Sequence, residues 1–545
     1  MTFVESINSP PERTTLRDLF GDAGRFIFAV EIETTRGLAM EEPASRMARL
    51  ANDLVDFPDV DVLGLTDNPG GNPNNRPEAL GLQLHERGQE VIVNVSCKDY
   101  NRNGIESRLW ALGSYGFDAL LALTGDYPMT GYAGQASPVF DIDSVGLLEI
   151  VRRLNEGYPP PDRAELVTKN LSVGAGTPTM RTSFFPGAAV SPFKVRESEY
   201  LPQLFKLESK IRAGAQWAIT QIGYDSRKLD ELRRYMALKQ MNIPLIGSVY
   251  LLSAPAARFF HRWGVPGING SAELVELANR QAKSKDRGRA FFHELAAKQI
   301  AILKGLGYRG VYLSGRPSLS RIETIMDIEK SFGEDDWKVF AREIQYPLPE
   351  EFYYFEQDPD TGLASSQINH EYLASKSGFA RTRKRLIQSP AFTVGKLTHD
   401  VFFDAKAPGR KLGELVYKGL EKTPRPVQRI AHIAEQASKI PMYGCQDCGD
   451  CSLPDIAYLC PESQCAKNQR NGPCGGTKDV KCEVLDKDCI WSRAYDRLKA
   501  SGQEEHMLDR PVIFKNGALQ GTSAWGNAFR ERDHHSANSD GQKSR

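Results

Sequence analysis

Several features that would place a chain in a special class are missing from this sequence. Lysine and arginine together number 69, and aspartate and glutamate also number 69, so the formal net charge is zero. No overall field therefore draws the protein to nucleic acid or to an anionic membrane. No run of about 18 apolar residues occurs, as a membrane-spanning helix would need. We also find no internal repeat at solenoid spacing.

The first twenty residues lack a secretory signal. The segment MTFVESINSPPERTTLRDLF has neither a basic start followed by an apolar run nor a small-residue cleavage site. We therefore expect a cytoplasmic protein, in which cysteines remain thiols. Of the 545 residues, 41% are apolar and 25% are charged, which is ordinary for a globular chain. At about 150 residues per domain, the length allows roughly three to four domains, or fewer if one is a barrel.

Short β-rich segments recur up to about Gly315, each usually followed by a segment with helical spacing of apolar residues. The predicted strands are Phe26–Glu33, Val60–Thr66, Glu90–Ser96, Phe117–Thr124, Ser183–Val190, Trp217–Gly223, Pro244–Leu251 and Gly310–Gly315. The predicted helices between them include Pro43–Asp56, Arg102–Tyr115, Ser144–Asn155, Tyr200–Ala213 and Ser226–Met241. Eight βα units in roughly 315 residues predict an α/β fold of the (β/α)8 type, a TIM barrel with insertions.

An open doubly wound sheet is the alternative α/β fold. It would need a glycine-rich phosphate loop directly after an early strand, and no such loop follows the first two predicted strands. A G-x-G-x-x-G pattern does occur at Gly305–Gly310, but it leaves a helix and enters a strand, which is the reverse of the required order. We therefore interpret this pattern as a helix-to-strand turn.

Polar residues lie at or just after the ends of six of the predicted strands. In a TIM barrel the active site is at this end of the strands. In strand order they are Glu31, Glu33 and Thr34; Thr66, Asp67 and Asn68; Asn94, Ser96 and Asp99; Thr124, Gly125 and Asp126; Ser191; and Thr220, Gln221, Tyr224 and Asp225. Strand ends are generally polar because loops begin there, so each residue taken alone is more readily a loop residue. The convergence from six strands makes this end the candidate site.

Eight of the nine cysteines lie in one stretch near the C-terminus. They are Cys445, Cys448, Cys451, Cys460, Cys465, Cys474, Cys482 and Cys489. Three cysteines at two-residue gaps, followed by a Cys-Pro, resemble the ligands of a [4Fe–4S] cluster, and two-residue gaps equally suit tetrahedral zinc. We expect metal binding and leave open both the metal and the four cysteines that bind each ion. The remaining cysteine, Cys97, is predicted to be a small core residue.

The predicted organisation has four parts: a barrel over 1–315, a linker or extension over 316–390, a mostly helical cysteine-rich domain over 391–533, and a disordered tail over 534–545. The helices predicted in the third part are Lys411–Glu421, Val427–Ile440 and Ile490–Ser501. The tail has too few apolar groups to order itself.

Residues 26–315 resemble methylenetetrahydrofolate reductase, a flavin-containing TIM-barrel enzyme, and in particular its bacterial members. The matching segments, in family order, are VEIETTRG (30–37), LTDNPGG (65–71), CKDYNR (97–102), LALTGDYP (121–128), FFPGAAVSPF (184–193), KIRAGAQWAITQIGYD (210–225) and IPLIGSVYLLS (243–253). Residues from about 391 to 533, above all CGDCSLPDIAYLCPESQCAKNQRNGPCGG (448–476), resemble the cysteine-rich module that is fused to, or partners, some of these reductases.

The resemblance implies reduction of 5,10-methylenetetrahydrofolate to 5-methyltetrahydrofolate, with NAD(P)H as electron donor and a bound flavin, FAD or else FMN. It implies that Glu31 is the general acid that protonates N10 of the substrate and opens its five-membered ring. It also implies that Asp126 lies beside the flavin pyrimidine edge, that Thr66 and Lys210 hold the flavin, and that Gln221 binds the pterin. A water-excluding cleft raises the pKa of a glutamate toward neutrality, as such an acid requires.

Two departures from the family pattern concern the flavin site. Asn94 stands where many relatives have histidine, and Thr34-Thr35 stands where they have Pro-Pro. The segment Met129–Thr182 has no residue-level match, so the adenosine contacts stay unassigned. The expected partners are the folate, NAD(P)H, another copy of the chain and a further redox protein that delivers electrons to an iron–sulfur or zinc module. The alternative function is a tetrahydrofolate-linked methyl transferase or demethylase without flavin.

Overall fold

The computed structural model describes residues 13–38, 40–42, 44–157, 181–262, 264–376, 389–508 and 510–536. Eight parallel strands close into a barrel: β1 (Ile27–Ile32), β2 (Val62–Leu65), β3 (Glu90–Ser96), β4 (Ala119–Leu123), β5 (Phe185–Val190), β6 (Trp217–Thr220), β7 (Leu245–Tyr250) and β8 (Gly310–Ser314). Neighbours pair in chain order and β8 pairs with β1. All eight predicted strands and the predicted TIM barrel are confirmed.

Helices surround the barrel. They are Ala44–Val55, Pro77–Glu86, Arg102–Ser114, Ser144–Glu156, Glu197–Arg212, Ser226–Leu238, Ala254–His261, Ala272–Gln281, Arg289–Gly305 and Leu319–Lys330. The Gly305–Gly310 pattern joins a helix to β8, as predicted. Helix Leu319–Lys330 lies in the segment predicted to be a linker or extension, and it packs against helices Arg289–Gly305 and Ala44–Val55. It covers the outer face of the eighth strand, as the fold requires. Residues 158–180, within the segment without a family match, lie outside the described residues.

The barrel interior is a packed apolar core at one end. Trp217 on β6 is fully buried there, and Gly187 on β5 makes room for it, since a Cβ at Gly187 would stand 2.2 Å from the indole ring. Leu16 and Leu19, from the short helix Leu16–Gly21, join this core at the amino-terminal ends of the strands. Polar groups therefore gather at the carboxyl-terminal ends, which we call the mouth.

The extension that follows the barrel is an ordered part of the molecule. It contains helices Asp336–Glu343 and His370–Ser375 and an antiparallel pair of strands, Phe355–Gln357 and Ala364–Ile368. Its aromatic residues join the main hydrophobic core, where the rings of Tyr354 and Tyr235 lie edge to face at 5.4 Å. Residues 377–388 of the predicted extension lie outside the described residues.

The cysteine-rich domain is mostly helical, as predicted. Its α-helices are Pro390–Thr398, Arg410–Leu420, Arg425–Tyr443, Pro461–Gln464, Ile490–Ala500 and Ala524–Phe529. His534, the first residue of the predicted tail, is buried, and its ring nitrogens contact Asp450 and Asp455. The contacts with these two aspartates thus hold His534 in place, although the composition of the tail predicts disorder. Residues 537–545 lie outside the described residues. Across the described ranges, no helix is both long and apolar enough to cross a membrane.

The cysteine-rich domain sits over the mouth of the barrel. The Asn471 backbone N–H donates to Asp143 at 2.8 Å, and the Tyr495 hydroxyl donates to Glu197 at 2.6 Å. Asp143 caps the helix after β4, and Glu197 begins the helix after β5. Because these helices begin where the strands end, both contacts lie at the mouth.

Candidate active site and cysteine sites

Glu31 lies near the end of β1 with its side chain on the inner face of the barrel. Ala29 and Ile27, two and four residues earlier, belong to the interior core, and side chains alternate along a strand. Burial and the negative charge of Glu33 raise the pKa of Glu31 to about 7, while the neighbouring Tyr312 hydroxyl opposes the rise. A carboxyl group with this pKa is protonated in about half of the molecules at pH 7, so it can donate a proton.

The neighbouring carboxylate, Glu33, is engaged by Arg316. Its two oxygens accept hydrogen bonds from Nε of Arg316 at 2.6 Å and from Nη2 at 2.9 Å. A carboxylate held by both arms of a guanidinium is a poor proton donor. Of the two glutamates at the end of β1, Glu31 is therefore the candidate acid.

Asp126 lies in the loop that follows β4, and the loop after β2 orients its side chain. Its Oδ2 accepts a hydrogen bond from the backbone N–H of Gly70 at 2.8 Å. The adjacent Gly71 has a φ of +72°, and a Cβ there would stand 2.0 Å from the carbonyl oxygen of Tyr127, so glycine is required. This close approach fixes the two loops against each other and holds the Asp126 carboxyl at the mouth.

Gln221 follows β6, and the cysteine-rich domain reaches the same place. Its Oε1 accepts from the backbone N–H of Ile222 at 2.9 Å. A Cβ placed on Gly267 would stand 3.4 Å from Nε2 of Gln221 and 3.0 Å from the carbonyl oxygen of Gly475. The segment next to Cys474 thus forms part of the surroundings of Gln221.

The side chains of Thr66 and Lys210 form hydrogen bonds with the backbone of neighbouring strands. Thr66 Oγ1 accepts from the backbone N–H of Thr34 at 2.8 Å, which ties β1 to β2. Lys210 Nζ donates to the carbonyl oxygen of Ala189 at 2.6 Å, and burial lowers the pKa of Lys210 to about 7. Lys210 therefore lies between its helix and β5. Glu31, Thr66, Asp126 and Gln221 each lie at or just beyond the carboxyl-terminal end of a barrel strand, and so at the mouth.

Several buried polar atoms at the mouth have no hydrogen-bond partner among the described residues. They are Asn94 Oδ1, Ser96 Oγ, Ser191 Oγ and Asn269 Oδ1. An unpaired buried polar group costs about 1–3 kcal/mol, and most such groups in proteins are paired. Amides and hydroxyls can bond the ring nitrogens and carbonyl oxygens of a flavin or a pterin. The residues at the mouth therefore fit both expected ligands, including Asn94, which departs from the family pattern.

Three residues of the site were not predicted from the sequence. Tyr312, which faces Glu31, belongs to a predicted strand and could have been found from the alternation of inward and outward side chains. Arg316 follows a glycine in a loop, with no pattern that marks it. Lys467 interacts electrostatically with Asp126 although the two residues are 341 positions apart in the chain. No local sequence pattern signals this interaction.

The eight clustered cysteines separate into two groups of four in space. Cys445, Cys448, Cys451 and Cys460 line one small cavity, which we call site 1. Site 2 consists of Cys465, Cys474, Cys482 and Cys489. Within site 2, burial and a neighbouring cysteine of the same group raise the pKa of the Cys465, Cys474 and Cys489 thiols. Cys97 is fully buried in the barrel core, as predicted.

Each site is flanked by two buried cations. Lys439 and Arg470 interact with the cysteines of site 1, and Lys194 and Lys467 interact with those of site 2. Burying a group of thiolates is costly unless nearby positive charge compensates for it. The cations therefore fit cysteines that act as deprotonated ligands better than they fit inert buried thiols.

A closed parallel barrel has a carboxyl group of raised pKa and unpaired amides at its mouth, and a cysteine-rich domain covers it. These features define a TIM-barrel enzyme with an accessory domain. The family described as methylenetetrahydrofolate reductase matches residues 18–301, and the family described as methylene-tetrahydrofolate reductase C terminal matches residues 425–516. The first match alone covers more than half of the chain. The protein therefore belongs to the methylenetetrahydrofolate reductase family and is an enzyme of folate metabolism.

Two solved structures are similar to parts of the chain. One is an uncharacterized protein from Clostridium thermocellum that binds two copies of 5-methyl-5,6,7,8-tetrahydrofolic acid. It is 15% identical in sequence and has a TM-score of 0.37, and the match covers 58% of this chain and 96% of that chain. The other is dihydropteroate synthase from Clostridium difficile in the presence of pteroic acid, with 8% identity, a TM-score of 0.32, and coverage of 57% and 98%. Both similarities are too weak to bear on function. The comparison with curated proteins gave no match.

Proposed function

We propose that the protein reduces 5,10-methylenetetrahydrofolate to 5-methyltetrahydrofolate, with a flavin held at the barrel mouth and NAD(P)H as electron donor. The observation that carries this proposal is the Glu31 carboxyl group, which has a pKa of about 7 and lies among unpaired polar groups. When bound, the flavin supplies the hydride that converts the methylene group into a methyl group. FAD is proposed over FMN from the family resemblance alone.

Glu31 acts as the general acid of the folate half-reaction. Its proton goes to N10 of the substrate, which breaks the bond between N10 and the bridging carbon and leaves that carbon ready to accept hydride. A positioned acid of this kind contributes about 10² to 10⁴ in rate. Tyr312 keeps the carboxyl oriented, and Arg316 holds Glu33 so that a second, ionised carboxylate stays beside Glu31 and raises its pKa.

The other residues at the mouth bind and tune the ligands. Asp126 places a negative charge beside the flavin and so disfavours charge build-up on the reduced ring. Asn94 offers its unpaired amide oxygen to the ring system, and the Gln221 amide binds the pterin. Thr66 and Lys210 support the wall behind the flavin through their bonds to Thr34 and Ala189.

Sites 1 and 2 are proposed to bind one [4Fe–4S] cluster each. The run of three cysteines at two-residue gaps, followed by a Cys-Pro, supports iron–sulfur clusters. The buried cations beside each site support bound thiolates. Site 2 adjoins the barrel mouth, since Gly475 lies beside Gln221 and Lys467 bonds the loop that precedes Asp126. This position supports a role of the cysteine-rich domain in electron entry, with a further redox protein as a donor, beyond a purely structural role.

Anaerobic purification followed by absorption spectroscopy, metal analysis and a substrate assay tests the proposal. We expect flavin absorbance, about eight iron atoms per chain for two four-iron clusters, and reoxidation of the dithionite-reduced flavin by methylenetetrahydrofolate. Protein that stays colourless in the flavin region after reconstitution with FAD and with FMN would contradict the proposal and favour the flavin-free methyl transferase. Zinc in place of iron would overturn the assignment of sites 1 and 2 alone.

A further inference from the structure

Lys467 belongs to the cysteine-rich domain, but its ammonium group lies at the barrel mouth. The residue is 5% exposed, and Nζ donates a hydrogen bond to the carbonyl oxygen of Gly125 at 2.9 Å. It also forms an ion pair with the buried carboxylate of Glu483. Gly125 directly precedes Asp126, and the Asp126 carboxylate and Lys467 interact electrostatically. A cation from one domain thus faces a carboxylate of the other.

The loop that Lys467 contacts is closely packed. Gly125 has a φ of +88°, and a Cβ there would stand 3.0 Å from Ser96 and 3.1 Å from Lys98, so the loop has little room to move. Two residues beyond Lys467, Gln469 accepts a hydrogen bond from Thr124 Oγ1 at 3.3 Å. Residues 467–469 and 124–126 therefore form one packed unit, in which the position of the cation relative to Asp126 is fixed.

We propose that Lys467 is a positioning residue of the barrel site, which holds the Gly125 carbonyl and offsets the negative charge of Asp126 at the edge of the flavin. This inference rests on the proposed function. A carboxylate beside the flavin opposes negative charge on the reduced ring, and a buried cation bonded to the residue before that carboxylate weakens the opposition. Lys467 therefore raises the midpoint potential of the bound flavin, and the cysteine-rich domain completes the barrel site.

A second buried lysine provides a matched control. Lys439 forms an ion pair with Glu435 at 3.0 Å and interacts with Cys445 and Cys451 of site 1, just as Lys467 pairs with Glu483 and interacts with Cys474 of site 2. All of these partners of Lys439 belong to the cysteine-rich domain. The two lysines thus share burial, ion pairing and a neighbouring cysteine site. They differ in that only Lys467 of the two contacts the loop 124–126 at the barrel mouth.

The test compares the midpoint potential and the dissociation constant of the flavin in matched variants of the full-length protein. Removing one partner of a buried ion pair leaves an uncompensated charge, so Lys467→Met is combined with Glu483→Gln, and Lys439→Met with Glu435→Gln. We expect the Lys467 double variant to have a lower flavin midpoint potential and about tenfold weaker flavin binding, as loss of a charge-assisted contact predicts. The Lys439 double variant keeps both values. Lys467→Arg, which retains the charge, keeps the potential of the unaltered protein.

Each other outcome decides against the inference. Equal flavin potentials in the Lys467 and Lys439 double variants would overturn it and leave the proposed function standing. A lowered potential that is equally low in Lys467→Arg would also overturn it, because loop packing and not charge would then be the cause. Failure of the unaltered protein to bind flavin would overturn the proposed function together with this inference.

Discussion

Tyr312 on β8 faces the carboxyl group of Glu31 on β1, in space that Gly64 leaves open on β2. A Cβ at Gly64 would stand 2.2 Å from the Tyr312 hydroxyl, so the phenol reaches this position only because that residue is glycine. The neighbouring Tyr312 hydroxyl lowers the pKa of Glu31, against the larger effects of burial and of Glu33. The acid strength of Glu31 is thus set by two named neighbours and by its enclosure.

The folate half-reaction should lose rate as pH rises through about 7, because Glu31 must be protonated to act as an acid. Tyr312→Phe removes the hydroxyl that lowers the pKa of Glu31, so the loss of rate moves to higher pH. Glu33→Gln removes the charge that raises the pKa, so it moves to lower pH. Stopped-flow rates of folate-dependent flavin reoxidation between about pH 5 and pH 9 check both signs. Identical profiles in the three proteins would refute the role of these neighbours.

Glu31 should also make the protein less stable at high pH. Its folded pKa of about 7 lies above the usual value of 4.5, so the folded state binds the proton more tightly. Stability linked to Glu31 is therefore complete below pH 4.5 and is lost as pH rises through about 7. Because Glu31 as a residue is only partly buried, the full effect of the pKa shift is reduced, and we expect Glu31→Gln to gain about 2 kcal/mol relative to the unaltered protein between these limits. Thermal melts at both pH values measure the difference, and a constant difference would count against a raised pKa.

Gly64→Ala should displace Tyr312. The added methyl group overlaps the phenol, so we expect a loss of about 1–3 kcal/mol in the free energy of unfolding and a slower folate half-reaction. Gly419→Ala is the control, since it lies in helix Arg410–Leu420 and a Cβ there meets nothing within 4 Å. Alanine in a helix stabilises by up to about 1 kcal/mol relative to glycine. Chemical denaturation compares the two, and equal stability would argue against the tight Gly64–Tyr312 contact.

The two cysteine sites should lose metal separately. Cys448→Ser removes a ligand of site 1 and Cys474→Ser a ligand of site 2, so each should lower the iron content by about half. Cys97→Ala, in the barrel core, should leave it unchanged. Iron analysis of the anaerobic proteins, normalised to protein concentration, gives the answer. Complete loss in either single variant would mean that the eight cysteines form one interdependent site.

The eight strands could be predicted because buried parallel strands are nearly continuous apolar runs, of which VLGL in β2 is an example. The sequence does not show that helix Leu319–Lys330 packs on the barrel, because the alternation of strands and helices stops after Gly315. The division of the cysteines could not be predicted, since Cys465 follows Cys460 by only five residues yet belongs to the other site. The bond from Lys467 to Gly125 joins residues 342 positions apart, and contacts between domains leave no local pattern.

Comparison of Glu31→Gln with Glu33→Gln in separate half-reactions tests the central claim most directly. Glutamine keeps the shape of the side chain but has no acidic proton to give. In Glu31→Gln we predict flavin reduction by NAD(P)H at an unchanged rate and a folate half-reaction slowed by at least about 100-fold. In Glu33→Gln both half-reactions should stay within about tenfold of the unaltered protein, because the proton donor remains. Equal slowing of both half-reactions in Glu31→Gln, or a folate half-reaction of normal rate, would contradict the account.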